Sequence, residues 1–167
     1  IPLGTSHRLE NPGKIDLLMA KAALVTAGNA YLADRARAAG APWVEIVPTA
    51  VDLDHYPMPE HENWTTSQPV DIVWIGSPAT AAYLDALSGP LQELAARRSI
   101  RLVTIGAGAR QIPGVEVLSL PWSAASEAAD IARCQIGVMP LPDSPWERGK
   151  CGYKLIQYMA CGLPVVA

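Results

Sequence analysis

Residues able to hold a phosphate are concentrated between Trp146 and Ala167, in the run WERGKCGYKLIQYMACGLPVVA. Arg148, Lys150 and Lys154 supply positive charge there, and Gly149 and Gly152 leave the backbone open to close approach by a ligand. The run begins as a polar loop and passes into a helical pattern, which Gly162 and Pro164 stop before a β-branched stretch. Started near Gly149, that helix carries Lys150, Lys154 and Gln157 on one face and Leu155, Ile156, Met159 and Ala160 on the packed side. Its first turn offers unpaired N–H groups and the positive end of the helix dipole. Cations, glycines and free N–H groups at one spot are the chemistry that seats a diphosphate. The same lysine stripe is also what any solvated helix face presents, and both readings stand at this point.

Such a loop needs a strand to deliver it and a sheet to back the helix. Both are written along the chain. Lys14–Ala23 has helical apolar spacing, Leu24–Ala27 reads as a short strand, and Asn29 can cap a helix from Ala30 to about Ala39 that Gly40 closes. Trp43–Pro48 is the next strand, so this part reads as the edge of a parallel sheet. The first 13 residues, with His7, read as loop. Residues 53–69 form a polar, proline-rich link and the best domain boundary. Its His55, Glu60, His61 and Glu62 fit no standard metal spacing and read as solvated.

Beyond the link, strand and helix alternate. Strands are expected at Val70–Ile75, Ile100–Ile105, Val115–Leu120 and Gln135–Pro140. A long helix from about Ala79 to Arg98, kinked at Gly89-Pro90, and a helix capped by Ser123 and running to about Arg133 lie between them. This is the grammar of an α/β, doubly wound parallel sheet, which binds ligands beyond the carboxyl ends of its strands. Gly76, Ser77, Gly106–Gly108, Pro121, Trp122 and the Leu141–Gly149 loop then share one rim. Gly106-Ala107-Gly108 lacks the rest of a dinucleotide fingerprint, no Gly-Lys-Ser/Thr marks a P-loop, and no serine occupies a nucleophile elbow.

Composition narrows the classes. The chain has 167 residues, half of them apolar and 17% charged, with a net charge of −3. That describes a globular protein with no global pull toward nucleic acid or an anionic membrane. Three cysteines without metal-like pairing suggest reduced thiols and a cytoplasmic setting, and Cys134 reads as a small core residue. No apolar run approaches the roughly 20 residues needed to span a bilayer. The chain opens on Ile1 and closes inside an apolar run, which reads as a fragment cut at both ends.

The closing run Lys154–Ala167, preceded by Ile136-Gly-Val-Met-Pro-Leu141, resembles the donor-binding domain of retaining GT-B glycosyltransferases, the "glycosyl transferases group 1" family. Ala27–Leu32 and Ile46–Asp52 are similar to the end of that family's N-terminal domain and the start of its linker, so the resemblance covers most of the chain. It implies Rossmann-like domains of the GT-B type. Residues 1–52 would belong to the acceptor-side domain, 53–69 to the linker and 70–167 to an incomplete donor-binding domain.

It further implies transfer of a sugar from a nucleoside-diphosphate sugar to an unknown acceptor, with retention and without a metal or cofactor. Arg148, Gly149, Lys150, Gly152, Tyr153, Lys154, Gly76 and Ser77 would hold the diphosphate, and Gln157 the ribose. Pro121 and Trp122 would wall the nucleobase, although a Trp there also reads as a buried cap on the sheet. Gln157 and Gly149 stand where the family has glutamates, Glu147 being a substitute for the first, and a Gln157→Glu change is expected to preserve the ribose contact. The loop Gly76–Thr80 lacks the cation that many relatives carry, which shifts the load to Arg148, Lys150 and Lys154. The resemblance also admits a peripheral membrane contact through the missing N-terminal part. A non-catalytic nucleotide-sugar binding module and a GT-B-fold epimerase are the alternatives. As it stands, the fragment is expected to be inactive.

Overall fold

Strands β3 (Val70–Ile75), β4 (Ile100–Ile105), β5 (Glu116–Leu120), β6 (Ile136–Val138) and β7 (Val165–Val166) form one parallel sheet in the order β5-β4-β3-β6-β7. These come from a computed structural model that describes residues 13–56, 58 and 69–167. The loop expected over the first 13 residues and most of the link, with His7, Glu60, His61 and Glu62, lie outside the described residues, except that Gly13 opens a helix. The first strand of the sheet stands at its centre, the next two on one side and the last two on the other. That is a Rossmann-like order, with its reversal between β3 and β6.

Past Asp71 and Arg101, the runs of β3 and β4 are almost wholly apolar because both faces of the sheet are covered. Val73, Ile75, Val103 and Ile105 pack with α4 (Glu127–Ala132) and α6 (Tyr153–Ala160), through Ala128, Ile131 and Tyr158, and with Cys161 just past the end of α6. Ile72, Trp74 and Leu102 take the other face, against a 3-10 helix (Pro78–Leu87) and α3 (Ser88–Ala95). Cys134 joins the first core, as its surroundings in sequence suggest. Toward the amino ends of the strands, register partners Asp71, Arg101 and Glu116 form a cross-strand ladder, with Arg101 doubly bonded to Asp71 at 2.8 and 2.7 Å.

Two expected helices differ in detail. The long helix over 79–98 is split, and the break falls before Gly89-Pro90. Pro90 has no N–H to give, so it sits in the first turn of α3, where none is required. Ser123 does not cap α4 directly. It holds a turn through Ser126 N–H to its Oγ at 3.1 Å, and the helix starts at Glu127.

The chain divides into two compact units, residues 50–143 with 152–167, and residues 1–49 with 144–151. In the smaller one, α1 (Gly13–Lys21) and α2 (Ala30–Ala38) accompany the parallel pair β1 (Val25–Ala27) and β2 (Val44–Ile46), in register Val25 to Val44. Asp16 and Arg35 form an ion pair between the helices. Asn29 caps α2 as expected, its Oδ1 accepting from the Leu32 N–H at 2.9 Å. Its Nδ2 donates to the carbonyls of Arg148 and Lys150, both at 3.2 Å. Residues 144–151, which the sequence assigns to the donor-binding segment, therefore belong to the smaller unit, where they form α5 (Pro145–Arg148) and a short tail.

Candidate functional site

At the carboxyl end of β3 the backbone passes over a buried indole. The Trp74 ring fills the space beside Gly76, where an added Cβ would lie 2.5 Å from the ring. Gly106, at the end of β4, has φ +79, and a Cβ there would stand 2.8 Å from the Gly76 carbonyl. Both glycines are required by close approach, and together they make a floor free of side chains. A cavity of about 470 Å³ opens above it, walled by Ser77, Trp122, Glu127, Tyr153, Lys154 and Gln157. All of these residues belong to the larger unit.

Lys154 stands in the first turn of α6 with its Nζ 4.7 Å from the Trp74 ring centre. An ammonium over an indole face is held by the ring quadrupole. Gly152 precedes the helix at φ 67, a left-handed conformation, and no side chain caps the first turn. Tyr158, one turn further along α6, is fully buried. Its hydroxyl accepts from the Ile75 N–H at 3.0 Å and donates to the Val138 carbonyl at 3.3 Å. Strands β3 and β6 pair only through Ile72–Ile136 and Val73–Gly137 before they part. The phenol therefore closes the ladder where the sheet reverses. Burial drives its pKa far above the ordinary phenol value, so it remains protonated and able to donate.

A second polar group forms the far wall. Tyr56 donates to Glu127 Oε1 at 2.5 Å, Trp122 Nε1 donates to Oε2 at 2.5 Å, and Gln157 Nε2 donates to Tyr56 Oη at 2.7 Å. Gln157 Nε2 also lies 3.4 Å from Glu127 Oε1, and His55 Nε2 lies 3.8 Å from the same oxygen. Burial, followed by the bond to Glu127, pushes the Tyr56 phenol well above its usual range. The cavity thus presents a cation near one end, a carboxylate and an amide near the other, and an indole between solvent and interior. Those groups have the chemistry to receive an anion joined to a neutral, hydrogen-bonding body.

Of the residues singled out from sequence, Gly76, Ser77, Trp122, Tyr153, Lys154 and Gln157 meet around this cavity, and Gly152 introduces α6. Arg148, Gly149 and Lys150 belong to the smaller unit, and Pro121 is an exposed residue outside the lining. The helix expected from Gly149 begins only at Tyr153, because Gly152 adopts a conformation that no α-helix continues through. Lys150 therefore does not share a helix face with Lys154. Gln157 is buried at 4% exposure and Met159 is exposed, the reverse of the expected faces. Trp122 is not a buried cap: it is 55% exposed and tied by its N–H to Glu127.

Three residues of the site went unremarked in sequence. Glu127 lay in a small-residue run where an acidic first turn reads as ordinary helix capping. Tyr56 stood in the polar link, where a lone aromatic among prolines was the available signal. Tyr158 sat one position from the expected packed face. Among the described residues no group of three His, Cys, Asp or Glu side chains could hold a metal ion, and no helix is long and apolar enough to cross a membrane. A scan against protein-family models finds no match, and comparison with curated protein sequences finds none either.

Proposed function

We propose that this chain is part of a GT-B glycosyltransferase that moves a sugar from a nucleoside-diphosphate sugar to an acceptor, with retention and without a metal. The larger unit would bind the donor, and the smaller would belong to the acceptor-side domain. The observation that carries this reading is the position of Lys154. It sits in the first turn of α6, on the wall of a cavity at the carboxyl end of a parallel sheet beside the strand reversal. As the glycosidic bond breaks, negative charge grows on the departing diphosphate. An ammonium and helix-end N–H groups already in place stabilise that charge more than they stabilise the intact donor. Trp122 would lie along the nucleoside. Motif resemblance supplies the reaction class, and the cavity supplies chemistry that fits it.

Calorimetric titration of the full chain with uridine, guanosine and adenosine diphosphates tests this. Lys154→Ala removes a charge-assisted bond of about 1.5–3 kcal/mol, so affinity for the tightest ligand should fall roughly 10- to 150-fold. Equal affinity for wild type and variant would remove Lys154 from the site. Absence of binding by all three nucleotides at millimolar concentration would refute the donor site. A non-catalytic nucleotide-sugar binder is the second reading, favoured by the neutral, inward-turned Gln157. Acceptor-dependent sugar transfer separates the two.

A further inference from the structure

Gln157 occupies the position that the motif resemblance assigns to ribose, yet its amide N–H groups face inward. They are directed to Tyr56 and Glu127, and the residue is almost wholly buried. A neighbouring group on another element is better placed. Glu127, at the start of α4, lines the cavity although its side chain is only 11% exposed. Its Oε1 accepts from Tyr56 and, weakly, from Gln157, and its Oε2 accepts from Trp122. A carboxylate has about four acceptor positions, so one position on Oε2 remains after these three protein donors.

We propose that Glu127, and not Gln157, accepts the hydrogen bond from a ribose hydroxyl of the bound nucleoside diphosphate. This rests on the donor-site reading above. Reach supports the hydroxyl over the base as the donor. Lys154 and Glu127 line the same cavity with Gln157, which stands three residues after Lys154 in α6 and whose amide nitrogen lies 3.4 Å from Glu127 Oε1. With the diphosphate at Lys154, the neutral donors of the nucleotide nearest to it are the ribose hydroxyls. Tyr56, Gln157 and Trp122 then act as positioning residues that hold the carboxylate in one orientation. The consequence is discrimination between ribo- and deoxyribonucleotides by a residue outside the closing motif.

The test uses the full chain, titrated with the tightest-binding nucleoside diphosphate, its 2′-deoxy and 3′-deoxy forms, and inorganic pyrophosphate. Wild type should bind the ribonucleotide at least tenfold more tightly than one of the deoxy forms. Glu127→Gln should bring that ratio to within threefold and leave pyrophosphate affinity unchanged. Glu127→Asp withdraws the carboxylate by a methylene and should also lower the ratio, which covers the case in which the Gln variant does not fold. Tyr56→Phe keeps the carboxylate but removes one of the donors that orient it, so it should lower the ratio by less than Glu127→Gln does. A wild-type ratio preserved in the folded Glu127 variants overturns the proposal. So does an equal loss for ribo and deoxy forms, which would point to a base contact. Nucleotide binding without any ribo preference in wild type overturns this inference alone. Failure of pyrophosphate and all nucleotides to bind removes the donor site along with it.

Discussion

Replacing Tyr158 with Phe removes one oxygen atom from the fully buried point where β3 and β6 separate. The ring and its packing against Gly137 remain, so the change isolates the hydroxyl. Two backbone groups lose their partner, the Ile75 N–H at 3.0 Å and the Val138 carbonyl at 3.3 Å. The first bond has good length, and leaving a buried N–H unsatisfied costs about 1.5 kcal/mol. The second is long for an O–H donor and is credited with about 0.5 kcal/mol. The expected loss is therefore about 2 kcal/mol. At roughly 4 °C per kcal/mol for a domain of this size, Tm should fall by about 8 °C. Scanning calorimetry measures the shift, and hydrogen exchange at the Ile75 amide should speed up in parallel, since that amide has no other acceptor in the ladder. A Tm change under about 2 °C with unchanged exchange at Ile75 would refute the bridging role. Because Ile75 leads directly into Gly76, the same variant tests whether the cavity floor depends on this bond.

Gly137→Ala would bring a Cβ to 2.3 Å from Tyr158 ring carbons, so urea denaturation should show a loss of at least about 2 kcal/mol, and an unchanged midpoint would contradict the packing of α6 on β6. Gln157→Glu, which motif logic expects to be harmless, sets a second carboxylate beside Glu127 at the 3.4 Å position and removes the donor to Tyr56. A loss of about 1–3 kcal/mol is expected, and full stability would show that the amide is not directed inward. Cys151 is exposed while Cys134 and Cys161 are buried, so a thiol reagent should label one site in the native protein and three after unfolding; labelling of all three when folded would contradict the core. Burial raises the Cys134 thiol to about 12 and the Cys161 thiol to about 11 from 9.0, so the folded chain keeps protons that the unfolded chain releases. Their contribution is complete below pH 9 and is lost as pH climbs through 11 to 12; equal stability at pH 8.5 and 11 would contradict the raised thiols.

The parallel α/β architecture was legible in the order of the residues. The largely apolar, β-branched-rich runs at Val70–Ile75 and Ile100–Ile105 are best satisfied with both faces covered, and local rules are sufficient to place Asn29 at a helix start and to end strands at Gly76 and Gly106. Lys154 and Trp122 were legible as residues of the rim cavity because charge, helix position and strand ends all act over short sequence distances. What the tertiary structure decided lay elsewhere. A periodic pattern puts Lys150 on one helix face with Lys154 and Gln157, but Gly152 turns left-handed and Asn29 takes the carbonyls of Arg148 and Lys150, more than a hundred residues away in sequence. Glu127 becomes a cavity wall only when Tyr56, Trp122 and Gln157 converge on it from separate elements. A buried carboxylate is stable only if its desolvation is offset by such donors, and no spacing rule registers donors brought together by the fold.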